Sequence, residues 1–412
     1  MNARSSLMRL LSLLTLIGGL LSACEPTSDQ PSEAGAGLRP LVLWHAYRGE
    51  EASALLASLK RFESEQGRAV RTLQLPHQAF NNKLLAAIPR GNGPDLWIGA
   101  HDRVGDYAEA GLIEPVGYWM SEALAAQLFP RTLEALSYSG NLYGLPLSFK
   151  TLVLYYRQDL TPQPPQTLPE LKQMAQSFKA AQPSSRWGLA VPELDSLYFH
   201  APWLHAHGGV AERMSESRAD QEALLASVAT VKSLLDEGYI PPELNGALTA
   251  SLFRAGELAF VINGPWFKGD LEGLEAPWRV APLPALKADG SAALSPYLGV
   301  EGVFISSHAQ DKSGAWELAQ ELASERAARA ALERGVLVAH RVPYQAEASP
   351  ALKAWRQAFE RQLDHVEPLS NRPEMKRLWT PLKRMLSSSL LFGKDPQESL
   401  TEALRAIEEL AR

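Results

Sequence analysis

Cysteine is almost missing from this chain: Cys24 is the single one in 412 residues. That excludes an internal disulfide and a thiolate metal cluster. Positive charge is also short, with 40 Lys and Arg against 46 Asp and Glu. Residues 1–23 hold Arg4, Arg9 and no acid, so the remainder has 38 basic residues against 46 acidic ones. An acidic balance argues against nucleic acid and anionic membrane surfaces as partners. Beyond the first 23 residues no apolar run is long enough to cross a bilayer. Familiar catalytic signatures are missing too: no Gly-x-Ser-x-Gly elbow, no His-Glu-x-x-His helix and no phosphate-binding glycine loop. No cofactor is expected. A chain without disulfides must be held by its apolar core. About 375 residues is ample for one and points to two domains.

What is present begins at the amino end. Arg4 and Arg9 precede the apolar stretch Leu10–Leu20, which is too short to span a membrane well. Leu21-Ser22-Ala23-Cys24 closes it and resembles a bacterial lipoprotein signal. The expectation is a signal peptide over 1–23 and a lipid on the thiol of Cys24. A flexible tether follows over 24–40, rich in Pro, Ser, Glu and Gly. Everything after Ala23 would then lie outside the cytoplasm, on the periplasmic or cell-surface side, held to the membrane by lipid.

From Leu41 the pattern alternates strand and helix. Leu41–Trp44 reads as a buried strand, and 49–66 puts Leu55, Leu59 and Phe62 on one helical face before Gly67. Val70–Leu75 and Leu96–Ile98 read as strands, with a helix over 80–88 between them and another from 103. A second series starts near Thr151. It has a strand at Leu152–Tyr156, helices from Pro169 and over 219–236, and a strand at Leu258–Ile262 closed by Asn263-Gly264-Pro265. The run 277–296 is Pro-, Ala- and Gly-rich. A strand at 302–306 and one helix over 311–332 follow, then helices over 350–363, 372–391 and 396–411. This order predicts an α/β fold with mostly parallel sheets covered by helices.

Several segments, taken in order, resemble the family 1 extracellular solute-binding proteins, above all the maltose/maltodextrin-binding branch. They are Gly93-Pro94-Asp95, the stretch from Ala100-His101-Asp102-Arg103 to Leu112, Tyr155-Tyr156-Arg157-Gln158-Asp159-Leu160, Asn263-Gly264-Pro265-Trp266, and Pro296-Tyr297-Leu298-Gly299-Val300. The resemblance implies a two-lobed, periplasmic-binding-protein-like fold with a ligand cleft between lobes joined by several chain crossings. One lobe would take 41–148 and 303–345, the other 153–297 and 350–412. Such a protein, as a monomer, closes on a sugar by hinge motion and delivers it to the permease subunits of an ABC importer. Closure works because the ligand meets both lobes only in the closed state.

Sugars offer apolar C–H faces to aromatic rings and hydroxyls to planar charged groups. Asp102 and Arg103 follow a strand and precede a helix, where a cleft-edge loop belongs; a cap with a surface ion pair is the plain alternative. Trp266 follows a tight turn at a strand end and is the first stacking candidate. By the resemblance, Trp379 in a helical stretch and Tyr198 in the irregular stretch 192–203 are further aromatic contacts, with core packing as the alternative for both. Trp44 and Tyr47 sit near the expected cleft mouth, and Trp44 in a strand is more often a packing residue. Two departures stand out. Gly99 replaces a tryptophan of the maltose-binding members, and Lys150 replaces a glutamate that accepts from sugar hydroxyls. Lys150 is left to pair with a ligand carboxylate, with Asp102, or with solvent. These changes point away from maltose itself.

Three rivals are weighed. The adjacent Tyr155 and Tyr156 resemble the pair of ferric-ion binders, but neighbours in a strand face opposite ways. His200, His205 and His207 lie close in sequence, yet on a helix 205 and 207 do not share a face, so no metal site is expected. A glycoside hydrolase needs two carboxylates across a cleft, and spacing alone pairs none. A binding protein rather than an enzyme is expected.

Overall fold

The alternation of strand and helix builds two separate sheets. The computed structural model describes residues 38–181, 187–341, 344 and 349–411. The expected signal peptide, Cys24 and nearly all of the expected tether therefore lie outside the described residues. The first sheet takes β1 (Leu41–His45), β2 (Val70–Gln74), β3 (Leu96–Ala100) and β4 (Gly144–Lys150). The second takes β5 (Val153–Arg157), β6 (Trp187–Ala190), β7 (Leu258–Asn263) and β8 (Trp278–Ala281). The chain then returns to the first through β9 (Tyr297–Ile305) and β10 (Glu367–Pro368).

In the first sheet the order is β10-β9-β3-β1-β2, with β4 also on β9. β1 runs parallel to β2 and β3, in register Leu41↔Val70 and Trp44↔Trp97. β9 is antiparallel to β3 (Phe304↔Trp97) and to β4 (Gly299↔Lys150). The second sheet is ordered β8-β5-β7-β6. The α/β class is as expected, but the sheets are mixed rather than mostly parallel: β5 runs antiparallel to both β8 and β7, and only β6 lies parallel to β7.

Helices cover the sheets as the apolar spacing dictates. α1 (Gly49–Gln66) buries Leu55, Leu59 and Phe62 beside β1 and ends at Gly67, whose φ of 63° suits a residue without Cβ. α2 (His77–Ala87) and α3 (Val104–Glu109) follow β2 and β3. The second sheet is covered by α4 (Leu168–Ala181), α5 (Leu197–Ala206) and α6 (Arg218–Asp236), which bury Leu171, Trp203 and Val228 against Leu189 and Phe260.

Some boundaries differ from expectation. The stretch 192–203 is irregular only to residue 196: α5 begins at Leu197, so Tyr198 is helical. The expected helix 311–332 is two, Lys312–Leu322 and Glu325–Glu333, because the Ser324 hydroxyl accepts from the Ala327 N–H and starts a new helix. The strand expected at 302 begins at Tyr297; Gly299 and Gly302 hide its alternation. Helix 372–391 opens with a 3₁₀ turn over Pro373–Arg377 and turns α-helical only at Trp379.

The three histidines each find a partner of their own. His200 Nε2 lies 2.9 Å from Ser227 Oγ, His205 Nδ1 2.5 Å from the Ser295 carbonyl, and His207 Nε2 3.0 Å from Thr230 Oγ1. Tyr155 and Tyr156 are both buried, and each joins a different apolar core. Where the chain passes from β4 to β5, the Thr151 hydroxyl donates to the Tyr297 carbonyl at 2.9 Å, pinning two connecting segments side by side.

Candidate functional site

The parallel strands β1 and β3 end at the same edge of the first sheet, and the residues that follow them line a cleft of about 380 Å³. Ala46 and Tyr47 come from the end of β1, and His101, Asp102 and Arg103 from the end of β3. Lys150 closes β4, while Gly299, Val300 and Glu301 lie on β9. Ligand crevices beyond the carboxyl ends of strands are the rule in open α/β sheets.

His101 fixes this loop. It is buried, accepts from the Val300 N–H at Nδ1 (3.0 Å), and places Nε2 2.7 Å from the Leu369 carbonyl. The acceptor role of Nδ1 assigns the proton to Nε2, which donates to Leu369. Burial holds the imidazole below its ordinary pKa despite neighbouring Asp102, so it stays neutral. Asp102 and Arg103 are thereby presented at the cleft edge. Arg103 Nε is 3.9 Å from Asp102 and Nη1 is 3.4 Å from Asp106. These are long, half-exposed contacts of little energy, which leaves both groups able to turn to a ligand.

Lys150 does not pair with Asp102; its Nζ lies 3.6 Å from Glu51 Oε1, on the first turn of α1. Glu51 and Glu301 are cleft residues that the sequence reading missed. Burial pushes the Glu301 carboxyl up to about 7; Lys150 pulls it back, and Glu51 and Asp102 push it further. The available signal was a lone acid inside the apolar run Leu298–Ile305. Burial, then Glu301 and Glu51, raise the Tyr47 phenol. Gly99 also lines the cleft, and a Cβ there would make ordinary contacts, with Trp97 Cδ1 at 3.5 Å and Phe80 Cε1 at 3.8 Å.

The aromatic candidates divide. Trp266 stands 45% exposed just beyond β7, where the Tyr155 hydroxyl holds the Gly264 carbonyl at 2.9 Å. Its ring lies 6.2 Å from Tyr198, which in turn lies 6.4 Å from Tyr297 at the start of β9. Trp266 and Tyr198 thus form one aromatic group with Tyr297, which stands two residues before cleft-lining Gly299; Trp266, Tyr198 and Trp379 are not themselves among the cleft-lining residues. Trp379 starts its helix half-buried against the second-sheet core with Met375 and Leu378. Trp44 corrects the expectation: only 5% exposed, it packs in the first core under the Lys83 ammonium (5.6 Å from ring centroid to Nζ) and is not among the cleft-lining residues. Its β1 position turns the indole inward.

Known proteins share this architecture. A maltotriose-binding protein of Pyrococcus abyssi is 27% identical, over 91% of this chain and 82% of its own length. A galactooligosaccharide-binding protein of Bacillus subtilis is 24% identical, over 93% of this chain and 92% of its own. A crystal structure of a cyclo/maltodextrin-binding protein with maltotetraose superposes with a TM-score of 0.79 at 25% identity, over 92% of this chain and 99% of that one. The family model for bacterial extracellular solute-binding proteins matches residues 57–360. That match spans well over half of the sequence, and the chain belongs to the bacterial extracellular solute-binding protein family.

Proposed function

We propose that this protein captures an oligosaccharide in the cleft and hands it to an ABC importer, without chemical change to the sugar. The single observation that carries the reading is the pairing of chemistries. Asp102, Arg103 and Lys150 border the cleft, and an exposed indole, Trp266, stands at the strand-end turn of the other sheet beside Tyr198 on α5. Charged forks suit hydroxyls and flat rings suit sugar C–H faces. Relatives whose names state maltotriose and galactooligosaccharide binding support the same class. Lobes of 41–148 with 303–345 and of 153–297 with 350–412 would close on the ligand by hinge motion at the segment pinned by Thr151. Trp379 belongs to the proposal as a further contact at the second lobe's edge.

The chain would work as a monomer outside the cytoplasm, with Cys24 lipidated and permease subunits as partners. Lys150 and Gly99 favour a sugar other than maltose, because one adds a donor and the other removes a ring from the cleft wall. A thermal-shift and calorimetric screen of the purified chain against maltotriose, galactooligosaccharides, monosaccharides, amino acids, polyamines and metal ions tests this. Micromolar binding of an oligosaccharide is expected. Binding confined to amino acids, polyamines or metal ions would end the sugar reading, and release of cleaved sugar would end the non-enzymatic one.

A further inference from the structure

Charges in the cleft are unevenly matched. Lys150 leans on Glu51 at 3.6 Å, and Arg103 rests between Asp102 and Asp106. The Glu301 carboxyl has no hydrogen bond or ion pair among the described residues, although it lines the same cleft and is largely covered. Its position on β9 explains the neighbours. Glu301 pairs with Ser148 on β4, and Lys150 is the next residue on that face, opposite Gly299. Gly299 carries no side chain, and even a Cβ there would meet nothing closer than the Lys150 carbonyl at 3.7 Å. The carboxyl and the ammonium therefore rise from adjacent strands beside open space, an acceptor next to a donor.

We infer that Glu301 and Lys150 together clasp two neighbouring hydroxyls of the bound sugar, Glu301 accepting a hydrogen bond from one hydroxyl and Lys150 donating to the adjacent hydroxyl oxygen. The inference rests on the sugar-binding reading and adds to it a residue pair that sets specificity. A vicinal diol suits this acceptor–donor pair because one hydroxyl can donate while its neighbour accepts. Glu301 must be ionised to accept well, so capture depends on its charge state. The groups facing it are Lys150 from β4, Glu51 from α1, Asp102 after β3, Tyr47 after β1 and Tyr107 from α3. Burial outweighs the help of Lys150 and leaves the carboxyl near neutrality. A sugar hydroxyl favours the anion, so binding releases a proton and tightens as pH rises through about 7.

Calorimetry on the full chain in detergent, with maltotriose and galactotriose as sugars and glutamate and spermidine as non-sugars, separates the possibilities. The wild type should bind its best sugar about tenfold more tightly at pH 8.5 than at pH 5.5. Glu301→Gln should bind equally weakly at both, with proton release lost and folding retained. Lys150→Met should move the midpoint to higher pH, a shift that a merely structural role would not produce. Sugar binding that is flat in pH, or unaltered in Glu301→Gln, overturns the clasp alone. Tight binding only of glutamate or spermidine, or of nothing in the panel, overturns the sugar reading and the clasp with it.

Discussion

The indole of Trp266 lies folded back over Gly264, so closely that a Cβ on residue 264 would collide with the six-membered ring. The turn Asn263-Gly264-Pro265 is thus a seat for the ring, and the Tyr155 hydroxyl on the Gly264 carbonyl holds the seat in place. Trp266→Ala should weaken sugar binding by more than about tenfold. The melting temperature should barely move, because the side chain is 45% exposed. Gly264→Ala should displace the ring and approach the same loss of affinity. Calorimetry with thermal denaturation checks both; a large stability loss at unaltered affinity would make Trp266 a packing residue.

Asp102 is held loosely, at 3.9 Å from Arg103, and little of the fold depends on it. Asp102→Ala should therefore cost about tenfold or more in sugar affinity with less than about 1 kcal/mol of stability. Arg103→Lys should also weaken binding, since an ammonium cannot reproduce the planar fork. Equilibrium denaturation run beside binding isotherms distinguishes a ligand contact from a helix-start ion pair.

At Gly99 a side chain has room to leave the backbone without strain. Gly99→Trp should fold normally and add an aromatic wall to the cleft, tightening maltooligosaccharide binding by roughly fivefold. A competition series of maltose, maltotriose and galactooligosaccharides reads the result. Weaker binding of every sugar would show that the open floor at 99 is itself needed by the ligand.

Glu301 also predicts a pH dependence of stability without any ligand. Its carboxyl titrates near the ordinary 4.5 in the unfolded chain and near 7 in the folded one. Between these values the folded protein keeps a proton that the unfolded chain has lost, so this group's contribution makes stability fall as pH rises from about 4.5 to 7. Glu301→Gln should match the wild type near pH 4.5 and exceed it at pH 8. The gain should be on the order of 1–2 kcal/mol, allowing for the group's partial exposure. Urea denaturation at the two pH values checks the sign.

Much of this was legible in the sequence because the signals were local. Leu55, Leu59 and Phe62 marked α1, and Asn263-Gly264-Pro265 marked the end of β7. The Ala100–Arg103 stretch pointed to a loop that lines the cleft. What stayed hidden depends on contacts between distant strands. Glu51 and Glu301 lie 250 positions apart and face one cleft only because β9 is inserted between β3 and β4. The exchange of Asp102 for Glu51 as the partner of Lys150 has the same origin. Trp44 looked available because its strand ends nearby, but the parity of β1 turns its ring into the core. Tyr198 was placed in an irregular stretch, yet it lies in α5, which accommodates Pro202 inside the helix.

Ten tryptophans are spread through the chain, and Trp266 is the only one that stands open to solvent. The emission of the other nine is at least partly shielded by surrounding protein, so a dissolved quencher such as iodide or acrylamide meets residue 266 first. The protein thus carries a built-in optical gauge at its proposed sugar-stacking surface. Occupancy can be followed from its own light, with no label attached.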